Sequence, residues 1–128
     1  MTKQARLPLG PGKEPTLPVR QYTAMAEEYP DAILLMRLGD FYEVIGCNAI
    51  TVAELCDGVL TLRPDGSVDK SSVRGRRAMV GIPAAELDQA VRRLVRCGFK
   101  VAIAEQVGRL PRGQIARRVA RVHRCDEQ

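Results

Sequence analysis

The feature that most constrains the fold is the uninterrupted apolar run Ile33-Leu34-Leu35-Met36, followed at once by Gly39-Asp40. Four consecutive apolar residues leave a strand no polar face, so the run predicts a strand buried on both sides. Gly39-Asp40 is a turn signal, and Phe41 through Ile45 reads as a second strand returning from it. A sheet covered on both faces needs helices. The clearest helix spans 84–97, where Leu87, Ala90, Val91, Leu94 and Val95 follow the i, i+3, i+4, i+7, i+8 rule. Gly98 is placed to cap it, and Arg92, Arg93 and Arg96 favour its C-terminal end electrostatically.

The remaining elements fill in around these. Tyr22, Met25, Ala26 and Tyr29 recur at helical spacing behind Pro18, and Pro30 closes that helix. Residues 49–56 fit a short helix with Ala49, Val52, Ala53 and Cys56 on one stripe. Val59 to Leu62, Ala78 to Ile82 and Phe99 to Val107 read as strands, and Arg117 to Val122 as an edge strand. Strands interleaved with helices predict an α/β fold: a mixed β-sheet flanked by helices. The domain is expected over 18–123, between a flexible Pro-rich tail at 1–17 and a C-terminal tail at 124–128. A polar loop runs from Pro64 to about Arg76.

At 128 residues the chain has room for one domain. No apolar stretch reaches the ~18 residues of a membrane span, and the N-terminus lacks a secretory signal, so a cytoplasmic protein is expected. Its charge is uneven. Residues 1–62 carry 5 basic and 8 acidic side chains, whereas 63–128 carry 15 and 7. Arginine dominates, 16 against 4 lysines, and its planar fork matches phosphate oxygens in two-point contacts. The basic half is therefore either a polyanion-binding surface or a solvated charged face; charge alone does not choose. Cys47, Cys56, Cys97 and Cys125 form no C-x-x-C pair, and His123 is the only histidine. Free thiols are expected, with neither a zinc site nor a disulfide.

The run Arg37-Leu38-Gly39-Asp40-Phe41-Tyr42-Glu43 holds the chemistry. Alternate residues of a strand share a face, so Phe41 and Glu43 point together and Tyr42 points the other way. Parity by itself leaves open which of the two faces is the core. If Tyr42 is inside, an aromatic ring and a carboxylate stand outside together, as a stacking wedge paired with a hydrogen-bonding group.

That run resembles the signature of the MutS mismatch-repair family, in its N-terminal mismatch-recognition domain. The likeness extends from about Pro18 to Val122. It includes Leu60-Thr61-Leu62-Arg63, similar to the family's Leu-Thr-Lys-Arg, then Met79-Val80-Gly81-Ile82-Pro83. It continues through Val101-Ala102-Ile103-Ala104-Glu105-Gln106-Val107-Gly108, similar to Val-Ala-Ile-Cys-Glu-Gln. The resemblance implies that Phe41 enters the minor groove of double-stranded DNA at a mispaired or unpaired base, that Glu43 hydrogen-bonds the base, and that the duplex is kinked. Arg63 matches the family's arginine and is the leading phosphate contact. Arg37, Arg74, Arg76 and Arg77 are further candidates by charge and proximity. The six arginines from Arg109 to Arg124 either track the DNA backbone or solvate an edge strand.

The sequence also departs from the family. Ala84-Ala85 replaces Tyr-His, Ala104 replaces a cysteine, and the Thr-Pro-Gly-Thr exit is absent. No Gly-x-x-x-x-Gly-Lys-Ser/Thr loop occurs, so ATP hydrolysis is not expected of these residues. The first expectation is a stand-alone, non-enzymatic DNA-binding module without cofactor, with a protein partner or homodimer as further association. The alternative is an accessory interaction protein that keeps the fold and docks on a replication, repair or plasmid-transfer protein without lesion sensing. A third reading, a metal-dependent nuclease using Asp40, Glu43 and Glu105, matches no motif.

Overall fold

The computed structural model describes residues 16–58, 60–62 and 78–125. Residues 1–15 of the tail expected at 1–17, the loop after Leu62 and residues 126–128 lie outside them.

The described residues form helix α1 (Leu17–Glu28), strands β1 (Ala32–Leu38) and β2 (Phe41–Ile45), helix α2 (Cys47–Cys56), and strands β3 (Leu60–Leu62) and β4 (Ala78–Pro83). A 3-10 turn (Ala84–Glu86) leads into helix α3 (Leu87–Arg96), followed by strands β5 (Lys100–Arg109) and β6 (Ile115–His123). The six strands make one sheet in the order β3-β4-β2-β1-β5-β6. Only β1 and β5 run parallel, joined by the crossover through β2, β4 and α3; the other pairs are antiparallel. The sheet is mixed, as the sequence predicts.

The apolar run sits at its centre for the reason its composition gives. Ile33 and Leu35 pack with Tyr42, Val44, Val52, Leu94 and Ile103 beneath α2 and α3. Leu34 and Met36 face the opposite way and pack with Tyr22 and Met25 of α1, and with Ala102 and Ala104 of β5. Leu34, Leu35 and Met36 are all completely buried. Each such side chain contributes about 1.5–3 kcal/mol relative to exposure, which makes β1 the hydrophobic axis of the molecule.

Element ends follow local chemistry. Pro18 lies in the first turn of α1, where a missing N–H removes no helical bond. At the end of α3, Gly98 adopts φ 97°. Its N–H bonds the Val95 carbonyl (2.9 Å) and that of Phe99 bonds Leu94 (3.1 Å), a Schellman cap that Gly98 alone can make without strain. The helix expected over 84–97 is thus split. Pro83 feeds a 3-10 turn, and regular α-helix begins only at Leu87. The second helix starts at Cys47, two residues before its first buried side chain, Ala49, because the turn begins at Gly46 with φ 98°.

Candidate nucleic-acid interface

The β1–β2 hairpin turns on two residues. Gly39 has φ 63°, positive at the first turn position as in type II′ hairpins, where glycine pays no steric penalty. The Asp40 carbonyl accepts from Ala84 N–H (2.8 Å), which ties the turn to the chain leaving β4. Register is fixed on both sides of β2: Phe41 opposes Leu38 and Pro83, and Glu43 opposes Met36 and Gly81.

Parity then resolves what the sequence left open. Tyr42 points into the α2/α3 layer and is 4% exposed, whereas Phe41 lies on the opposite face and is 44% exposed. Phe41 and Glu43 share the face that α1 covers over β1 and β5. Over β2 the α1 cluster reaches only Ile45, and neither core cluster of the described residues includes Phe41, Glu43, Met79, Gly81 or Thr61. This part of the sheet presents those five residues, of which Phe41 is the most prominent apolar group.

Glu43 is half-buried in this surface. Its Oε1 is shielded from solvent and has no hydrogen-bond partner among the described residues. Desolvation with no compensating cation raises its pKa above the usual carboxylate range. A shielded, unpartnered carboxyl oxygen is costly for a folded protein to maintain, and an incoming donor relieves that cost.

Gly81 makes room for both side chains. A Cβ at this position would lie 3.0 Å from Glu43 Oε2 and 3.4 Å from Phe41 Cδ2. The sequence treats Gly81 only as part of a strand motif; a glycine inside a strand marks a close approach, and that signal was available.

The opposite face carries a second network. The Tyr42 hydroxyl donates to Glu105 (2.9 and 3.0 Å to its two oxygens) and accepts from Arg37 Nη1 (3.3 Å). Arg37 Nε donates to the Gly39 carbonyl (2.6 Å), and its guanidinium lies 5.3 Å from the Tyr42 ring centre. Arg121 pairs with Glu105 at 3.5 Å. Arg37 is therefore held across the sheet from Phe41 and Glu43 rather than beside them. Glu105 and Glu43 likewise occupy opposite faces, which separates two of the three carboxylates of the nuclease reading. Among the described residues no cluster of three His, Cys, Asp or Glu could hold a metal ion. Arg63, Arg74, Arg76 and Arg77 lie outside the described residues. No described helix is long and apolar enough to cross a membrane.

The fold and this face define a class: a small mixed-sheet α/β domain that displays an aromatic ring beside a carboxyl with no partner among the described residues. Comparison with known proteins makes the class specific. Residues 16–123 match the family model of MutS domain I, and the chain belongs to that family. It is 43% identical over 101 residues to the DNA mismatch repair protein MutS of Roseiflexus sp. (strain RS-1), covering 79% of this chain and 9% of that protein. It is 40% identical over 107 residues to MutS of Chlorobaculum parvum, covering 84% of this chain and 11% of that protein. For MutS of Fervidobacterium nodosum the figures are 41% over 106 residues, 81% and 12%. The chain spans about a tenth of the length of these relatives.

Proposed function

We propose that this chain is a mismatch-recognition DNA-binding module in which Phe41 enters the minor groove at a mispaired or unpaired base and Glu43 hydrogen-bonds that base. The observation that carries this reading is the pairing, on one face of the sheet, of an exposed ring with a carboxyl oxygen that lacks a partner among the described residues. Family membership supports it, since the matching relatives are DNA mismatch repair proteins.

The physical logic is that of a wedge. Separating a base step costs a few kcal/mol and costs least where pairing is already defective. Stacking on an aromatic ring returns about 1–3 kcal/mol. Selection then follows the deformability of the lesion more than the identity of base edges. Phosphate repels a bare carboxylate, so Glu43 serves this role by meeting a base donor or by carrying a proton. The role is binding rather than catalysis. Arg63 is the proposed phosphate contact, with Arg74, Arg76 and Arg77 as further ones. Arg37, held on the opposite face by Tyr42 and the Gly39 carbonyl, has no part in this contact.

The test compares affinity for a duplex with one unpaired thymine against its fully paired counterpart. Wild type is expected to prefer the defective duplex, and Phe41→Ala to lose that preference. Arg63→Ala is expected to weaken both complexes alike. Equal wild-type affinities would overturn the reading; DNA-independent capture of a protein partner would then favour the accessory role.

A further inference from the structure

We infer that the β5–β6 hairpin is a second DNA contact, gripping backbone phosphate through Arg109 and Arg112. The inference rests on the reading above that this domain binds DNA, but on different residues.

The structure sorts the six arginines from Arg109 to Arg124. Arg117 is consumed internally, donating from Nε to the Arg37 carbonyl (2.8 Å) and from Nη1 to Gln21 (2.7 Å). Arg121 pairs with Glu105. Arg124 lies past β6, at the end of the hairpin away from its tip. Arg118 is exposed but stands opposite Glu105 in the β5–β6 ladder, on the face away from Phe41. Arg109 and Arg112 are exposed, and neither has an ion-pair partner among the described residues. Arg109 Nη1 reaches only the Gly113 carbonyl across the tip (2.7 Å), which holds the guanidinium in place without neutralising it. From Gln106 to Arg124 the hairpin has no acidic residue. Asp40 in the β1–β2 turn, and Glu86 and Asp88 near the start of α3, are acids of neighbouring segments.

Position gives this charge its use. Strand β5 runs parallel to β1, with Ala104 opposite Met36. Beyond that pair β1 continues for two residues, to Leu38, whereas β5 continues for five, to Arg109. Strand β5 therefore runs three residues past the end of β1, roughly 10 Å at strand rise. It does so at the same end of the sheet as Phe41. Strand β6 is three strand spacings from β2, about 14 Å. A duplex wedged by Phe41 in a minor groove ~6 Å wide has a phosphate row within that span. The hairpin tip is closed by Leu110 N–H to the Gln114 carbonyl (2.7 Å) and Gly113 N–H to that of Leu110 (2.8 Å), so its cations are presented on a formed turn. Val107, 46% exposed on the same overhang, has no described core to join.

Phosphate contacts are independent of base sequence and release counterions. The test is the salt dependence of binding to the two duplexes named above, for wild type and for the double variant Arg109→Gln, Arg112→Gln. Both side chains are exposed, so the variant should fold; matching circular dichroism and melting temperature verify this. Arg118→Gln, on the opposite face, controls for loss of general positive charge. The double variant is expected to bind both duplexes more weakly. Its slope of log affinity against log salt should be shallower by about 1–2, against less than about 0.5 for the control. Its preference for the defective duplex should match wild type. A slope unchanged from wild type, or one reduced only for the defective duplex, would overturn the hairpin contact and leave the wedge standing. A wild type without preference would overturn the wedge, while a reduced slope would still uphold the hairpin.

Discussion

Glu43 and Gly81 face each other directly across the β2–β4 ladder, and the side chain that Gly81 lacks is the space that Glu43 and Phe41 occupy. A strand glycine costs about 0.5–1 kcal/mol relative to alanine, so its presence here trades stability for position. Gly81→Ala should therefore melt within a few degrees of wild type, because the new Cβ meets the movable end of a carboxylate rather than backbone. Its preference for a defective duplex should fall toward that of Phe41→Ala. Thermal melts combined with paired binding isotherms check both halves.

Glu43 also gives the protein a pH signature. Burial raises its folded pKa above the ordinary value of 4.5. Between those two values the native state holds more protons than the unfolded chain, so stability falls as pH rises through that window and then levels off. Glu43→Gln lacks this step, while every other carboxylate is shared and cancels. The two proteins should melt alike below about pH 4. At pH 7 the Gln variant should be the more stable, by a modest amount because Glu43 is only half-buried. Melting curves from pH 4 to 8 decide it, and a Gln variant less stable at pH 7 would contradict the assignment.

Phe41 and Leu94 separate binding from folding. Leu94 is fully buried between α3 and the sheet, so Leu94→Ala should cost about 2.7–5 kcal/mol and lower the melting temperature by well over ten degrees. Phe41 is nearly half exposed, and Phe41→Ala should cost under about 1 kcal/mol. A large stability loss from Phe41→Ala would mean that the ring serves the fold instead of a partner.

The legible parts of this molecule are those in which one segment decides its own environment. The apolar run at 33–36 announced a central strand, and the stripe from Leu87 with Gly98 beyond it announced a capped helix. Elements that depend on a partner were harder to read. Strand β5 continues two residues past Val107, and β6 begins at Ile115 rather than Arg117, because hairpin pairing outside the sheet needs no apolar pattern. Phe41 was visible through its motif, yet its exposure required knowing that the α1 cluster reaches β2 at Ile45 and not as far as Phe41. Gly81 was hidden because its role exists only once register sets it opposite Glu43. Tyr42 and Glu105, 63 residues apart, offered no local signal at all.

That last pair supplies a coupling test. Tyr42 donates its hydroxyl to Glu105 across the intervening strand β1, and Arg121 of the edge strand completes the carboxylate's shell. A hydrogen bond to a charged group contributes about 1.5–3 kcal/mol when well enclosed, and Glu105 is partly open to water, so the lower end applies. Tyr42→Phe should cost about 1–2 kcal/mol, and Glu105→Gln less, since an amide oxygen still accepts. In the double variant Tyr42→Phe with Glu105→Ala the losses should be sub-additive by about 1 kcal/mol, the mark of a direct interaction. Additive losses in denaturant unfolding would show that the contact does not hold β2 to β5. The hydroxyl would then be free to leave Glu105, and the register that aims Phe41 outward would rest on backbone pairing alone.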